Sequence, residues 1–263
     1  MGKILVTGGA GYIGGVCVEK LIDKGYEVVI VDSLETGHKE NVNKDATFYC
    51  GRVGDKDLMD KVFKKNKIDI VFHFAGLIQV GESMKEPNKY FDGNLVQGIS
   101  LLDSMRKNNV LKIVFSSTAA VYGTPKRVPI KETDIKKPIN PYGEAKWMFE
   151  QVLNRYHEAY GLMYHAFRYF NAAGATAKNR EKHEPETHLI PLIMQAARGE
   201  REAISIFGND YDTPDGTCIR DYVHVCDIVG AHLLSLKYLD KYPAKVFNLG
   251  NGNGYSVKEV IDM

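Results

Sequence analysis

Short apolar runs alternate with helix-periodic stretches through the first two thirds of the chain. Lys3–Thr7 is an apolar run that ends at glycines, which suits a strand buried on both faces of a parallel sheet. Residues 11–24 follow with Ile13, Val16, Cys17, Lys20 and Leu21 at helical spacing, and Gly25 stops that helix. Strands are expected at 27–32, Thr47–Cys50 and Ile68–His73, with a helix at 56–66 between the last two. Pro87 opens a helix reaching residue 108, as a proline in a first helical turn does. A strand at 112–116, a helix over Pro141–Tyr160 and a strand over Met163–Tyr169 complete the series. Strands spaced by helices predict right-handed crossovers and an α/β fold with a doubly wound parallel sheet.

The rhythm changes after residue 171. Residues 176–188 are polar and irregular, 189–198 read as a helix, 203–207 as a short strand and 209–217 as a turn-rich loop. The spacing predicts a division into residues 1–171, a nucleotide-binding domain, and 172–263, a smaller substrate lobe over the carboxyl edge of the sheet. Some elements of that lobe are expected to return to the main sheet. Ser256 caps a final helical start carrying Val257, Val260 and Ile261, and the sequence stops there, so the lobe is expected to be incomplete.

Composition narrows the function classes. The chain has 263 residues, with 34 basic and 33 acidic side chains and a net charge of +1, which leaves no electrostatic footprint for nucleic acid or an anionic membrane. No apolar run approaches the roughly 18 residues of a spanning helix. The four cysteines form no C-x-x-C pair and read as free thiols in a reducing compartment, so a cytoplasmic protein is expected. No metal is called for.

The first chemistry lies at 7–14, TGGAGYIG, between the first strand and the first helix. Gly9, Gly11 and Gly14 fit G-x-G-x-x-G, and Gly8, Gly11 and Gly14 fit a looser G-x-x-G-x-x-G. Side chains at these positions would hold a pyrophosphate away from the backbone amides and the helix dipole. Asp32 ends the next strand about 20 residues on, where a Rossmann-type dinucleotide fold places its ribose-binding acid. A carboxylate there accepts hydrogen bonds from both ribose hydroxyls and repels a 2′-phosphate. Ser33, Leu34 and Glu35 offer no arginine for such a phosphate, so NAD is expected over NADP.

The second lies in FSSTAAVYG at 115–123 and in Tyr142 with Lys146. The former sits at the carboxyl end of a strand, the edge that holds ligands in open α/β sheets. Tyr142 and Lys146 are four residues apart and share a helix face. An ammonium beside a phenol favours phenolate, so Lys146 is expected to lower the Tyr142 pKa and also to bind the nicotinamide ribose. Tyr142 would act as base and then acid, with a hydroxyl of the 115–123 segment bonding a substrate hydroxyl and passing its proton on.

These blocks are similar to the extended short-chain dehydrogenases/reductases and, within them, to the UDP-glucose 4-epimerase family. Further matching segments are HFAG at 73–76, VGES at 80–83, NPYGEAK at 140–146, RYFN at 168–171, ETHLIP at 186–191, FGNDY at 207–211, DGT at 215–217, RDYVH at 220–224 and NLG at 248–250. The resemblance implies a tightly held NAD, with Tyr142 taking the proton of the sugar C4 hydroxyl as hydride leaves C4, and with Thr118 in the role of the family's serine or threonine at the catalytic and substrate site. The 4-keto sugar then turns over about its diphosphate tether, and hydride returns to the other face, interconverting UDP-galactose and UDP-glucose. It further implies that Tyr12, Ile13, Ser33, Val53, Phe74, Ala75, Gly76, Asn94 and Phe170 line the cofactor. Asn171, Leu189, Phe207 and Arg220 would hold the UDP-sugar. A homodimer through the helices at 87–108 and 141–160 is also implied.

Related dehydratases carry an Asp-Glu pair just after the threonine, and here Ala119 and Ala120 can transfer no proton. Epimerisation without elimination follows. Other sugar-nucleotide epimerases and decarboxylases of the superfamily remain, as does a non-catalytic NAD-binding module. The chain departs from the family pattern in four places. Arg52 replaces an Asp at the adenine, Ile78 replaces a Lys near the phosphates, and Gly15-Val16 replaces Ser-His. The family segment that closes over the UDP-sugar would follow Met263, and a chain ending there is expected to turn over weakly.

Overall fold

The central strands carry apolar side chains on both faces, and helices cover both. The computed structural model describes residues 2–181 and 186–263. Its strands are β1 (Lys3–Thr7), β2 (Val28–Asp32), β3 (Thr47–Cys50), β4 (Ile68–His73), β5 (Lys112–Thr118), β6 (Met163–Tyr169), β7 (Asn171–Ala173), β8 (Ile219–His224), β9 (Lys245–Leu249) and β10 (Gly254–Ser256). Its α-helices are α1 (Tyr12–Asp23), α2 (Lys56–Lys65), α3 (Val80–Lys85), α4 (Pro87–Phe91), α5 (Gln97–Lys107), α6 (Pro141–Tyr160), α7 (Leu189–Ala197), α8 (Val225–Tyr238) and α9 (Val257–Asp262). A seven-stranded parallel sheet runs β3-β2-β1-β4-β5-β6-β9, and a small mixed sheet runs β10-β8-β7.

Alternation along each strand divides the core in two. Leu5, Val29, Val71, Ile113 and Ala166 pack with side chains of α2, α5 and α6, among them Met59, Leu101 and Phe149. Their neighbours Ile4, Ile30, Ile70, Val114 and Phe167 pack on the other side with α1 and α8, through Val16, Leu21 and Ile228. Strand order reverses between β1 and β4, so a crevice opens at their carboxyl ends, where open α/β sheets bind ligands.

Local chemistry fixes the helix that carries Tyr142. Asn140 caps α6 by accepting from the Gly143 amide at 2.8 Å, Pro141 sits in the first turn, and Gly161 closes the far end at φ 72°. The helix expected at 87–108 is present but interrupted: a π-helical turn over Asp92–Val96 separates α4 from α5. The strand expected at 203–207 does not form: among the described residues no strand pairs with it, and Ile206 and Phe207 are 45 % and 85 % exposed. Of the irregular stretch at 176–188, residues 182–185 lie outside the described residues. The returning elements are α8, which packs on α1, and β9, which pairs with β6 in the register Ala166↔Val246. The helical start at 256 is α9, with a full capping box between Ser256 and Glu259.

Candidate active site

A cleft of about 1420 Å³ lies along the carboxyl edge of the main sheet and runs under the small one. The glycine loop forms one end. Gly8 has φ 74°, and a Cβ there would stand 2.5 Å from the Ala75 amide nitrogen. A Cβ on Gly14 would lie 2.1 Å from the Gly8 carbonyl oxygen, so only glycine lets α1 start this close to the loop. Gly11 is the N-cap of α1 and offers no side-chain cap, which leaves the first amides free for an anion. With Tyr12 and Ile13, these glycines line the cleft.

Asp32 is fixed at the next strand end. Its carboxylate accepts from the Ala10 amide at 2.9 Å and the Leu34 amide at 2.8 Å, while keeping acceptor capacity for ligand hydroxyls. Ser33 and Val53 line the cleft beside it. The loop therefore fits a dinucleotide on two counts, a cradle that side chains would fill and an acid held at the ribose position.

Phe74, Ala75, Gly76 and Phe170 line the middle of the cleft. Asn94 does not reach it. It is buried in the π-helical turn, where its side chain accepts from the Leu77 amide at 2.7 Å and donates to the Leu77 carbonyl at 2.9 Å. Its part is to hold the peptide that follows Gly76.

Thr118, Tyr142 and Lys146 meet on the cleft wall. Burial pushes the Tyr142 phenol above its ordinary pKa, and a hydrogen bond with Thr118 opposes that rise. Lys146 donates to the Ser116 carbonyl at 2.9 Å and lies 4.9 Å over the Phe115 ring. Burial lowers its ammonium to about 8. The expected depression of the Tyr142 pKa by Lys146 is thus not present in this structure: the ammonium faces a carbonyl, and Thr118 is the group that favours phenolate. A Cβ on Gly76 would come within 3.3 Å of Lys146 Nζ, so glycine keeps that nitrogen reachable from the cleft. Below it, burial and the Lys146 charge lower the His73 imidazole to about 3; it stays neutral and hydrogen-bonds Thr7 Oγ1 at 2.7 Å.

Asn171, Leu189 and Arg220 line the far end under the small sheet, whereas Phe207 lies outside the cleft. Two further groups line it: Ser116, to which the sequence assigned no role of its own, and Arg52, which it marked as a departure from the family pattern at the adenine. The Ser116 hydroxyl pairs with the Tyr169 hydroxyl on the cleft floor. Arg52 forms an ion pair with Glu35 on the rim. The first was available from strand alternation, since Ser116 and Thr118 share a face of β5.

A family model described as the NAD dependent epimerase/dehydratase family matches residues 4–250. The chain belongs to that family. Family members named UDP-glucose 4-epimerase include one from Halalkalibacterium halodurans, 50% identical over 99% of this chain and 78% of its own length. Another, from Streptococcus mutans, is 52% identical over 98% of this chain and 79% of its own. A crystal structure of a UDP-glucose 4-epimerase superposes with a TM-score of 0.96 at 49% identity, covering 99% of this chain and 80% of that one. A Bifidobacterium longum epimerase structure in complex with NAD+ and UDP gives 0.94 at 42% identity, covering 99% and 81%. Among the described residues, no helix is long and apolar enough to cross a membrane, and no cluster of His, Cys, Asp and Glu could hold a metal ion.

Proposed function

We propose that this chain is an NAD-dependent UDP-hexose 4-epimerase that interconverts UDP-galactose and UDP-glucose by transient oxidation at C4. The observation that carries the reading is the meeting of Thr118, Tyr142 and Lys146 on the wall of the same cleft that the Gly8–Gly14 loop and Asp32 close at its other end. NAD bound there supplies a pyridinium ring that exchanges hydride with C4 and whose positive charge favours the phenolate of Tyr142. The glycine loop and the α1 N-terminus would take its pyrophosphate, Asp32 its adenosine ribose, and Lys146 its second ribose.

On the substrate side, Tyr142 removes the C4 hydroxyl proton, with Thr118 holding or relaying it, and returns a proton to the same oxygen in the second half-reaction. Asn171, Leu189 and Arg220 would hold UDP, the arginine by its forked donors. Ala119 and Ala120 supply no acid or base for loss of water, which favours epimerisation over dehydration. Residues 1–171 would serve the cofactor and 172–263 the sugar nucleotide. A homodimer through α4, α5 and α6 is consistent with exposed Met84 and Val96 on or beside these helices, and sedimentation would report it. Four free thiols suit the cytoplasm.

The test is incubation with UDP-galactose and no added NAD, with sugar nucleotides resolved by chromatography. UDP-glucose should appear without accumulation of reduced-nicotinamide absorbance. Steady growth of that absorbance would mark a dehydrogenase, and bound NAD without turnover of any sugar nucleotide would mark a binding module.

A further inference from the structure

The adenosine end of the cleft is lined between Val31 and Val53 by one cation, Arg52, and two carboxylates, Asp32 and Glu35, among the described residues. Arg52 follows directly on Gly51, whose amide donates to the Asp32 carbonyl at 2.9 Å, so its backbone is tied to the end of β2. Its side chain turns to Glu35: Nε donates to Glu35 Oε1 at 2.7 Å, and a second guanidinium nitrogen meets the same oxygen. Glu35 sits beyond Leu34, a non-glycine residue at φ 61° that turns the loop back toward the rim. Asp32 is held separately, by the Ala10 and Leu34 amides, and does not engage Arg52.

An arginine near the second strand end is what a dinucleotide site uses to take a 2′-phosphate, through planar, permanently charged donors. Here that arginine is present, and two of its three guanidinium nitrogens are turned to a carboxylate. We propose that Glu35 is a cofactor-selectivity residue: by holding Arg52 it withholds from a 2′-phosphorylated nucleotide the cation that would bind it. The inference rests on the reading that NAD occupies this cleft. Asp32 repels the phosphate directly, and Glu35 acts through Arg52. Neutralising Glu35 changes the formal charge of the rim from −1 (Asp32, Glu35, Arg52) to zero and frees the fork.

The experiment compares the wild type, Glu35→Gln, Arg52→Ala and the double variant. Each is brought to exchange equilibrium in equimolar NAD and NADP, freed of unbound nucleotide and denatured, and the released nucleotides are quantified by chromatography. The ratio of bound NADP to NAD should rise about tenfold in Glu35→Gln, the size of one charge-assisted hydrogen bond. It should fall back toward the wild-type ratio in the double variant. An unchanged ratio in Glu35→Gln overturns the proposal. An equal rise in the double variant also overturns it, because Glu35 would then act by its own charge alone. Wild-type protein that retains neither nucleotide would overturn the cofactor reading, and this inference with it.

Discussion

Replacing Tyr142 with Phe removes one oxygen from the cleft wall and leaves the ring that packs there. Epimerisation should fall by about 10²–10⁴, the usual worth of a positioned acid–base group, with bound nucleotide retained. Chromatography of the sugar nucleotides and of the released cofactor checks both halves. Lys146 has a separate signature. Burial lowers its ammonium from 10.5 to about 8, so between those values the unfolded chain keeps a proton that the folded chain has released. Stability contributed at this position therefore rises with pH across that window, and below it the full cost of burying the charge stands. Lys146→Met should be more stable than the wild type below about pH 8, with the advantage shrinking toward pH 10.5, as read from urea midpoints. Gly14→Ala would set a Cβ 2.1 Å from the Gly8 carbonyl oxygen. It should weaken NAD binding by at least about tenfold, measurable by nucleotide retention, because the loop must move off the helix end.

Two strands of the main sheet, β5 and β6, and the helix α6 carry this part of the site, and a buried polar network locks them together. Glu150 on α6 lies two turns beyond Tyr142 and pairs with Arg168 on β6, with both side chains 2 % exposed. The Arg168 Nε bond to Glu150 is 2.9 Å, Ser117 on β5 donates to the same carboxylate, and Arg168 also donates to the Tyr122 hydroxyl at 2.7 Å. Glu150→Ala would strand the guanidinium and should cost about 3–5 kcal/mol, whereas Ser117→Ala should cost about 1 kcal/mol. Denaturant unfolding of the two variants measures the difference. None of this was readable from spacing, because Glu150, Arg168 and Ser117 meet only through tertiary packing. What could be read was local: α6 and β6 fall at the expected residues because proline, an asparagine cap and a terminal glycine bound the helix. The interruption at Asp92–Val96 was not, since the Asn94–Leu77 bonds that fall at it join residues 17 apart in sequence and exist only in the folded structure. The failed strand at 203–207 shows the converse: alternation without a pairing partner leaves Phe207 in solvent. At the site, motif residues reached the cleft where strand ends aim them, and the direction taken by Lys146 depended on the carbonyl of Ser116.

Chain order does not follow the two sheets. After β6 the backbone enters the small sheet at β7 and β8, returns to the large one through α8 and β9, and leaves again for β10. The two sheets are woven together by the chain, so a single cut cannot release either as an intact piece. Heating should melt the protein in one calorimetric transition, with no half-molten species in which one sheet survives. A ketone formed in this cleft has to offer its opposite side to the same hydride position. With walls laced together by repeated passage of one backbone, that somersault falls to the tethered sugar, and the protein serves as a stationary mould around it.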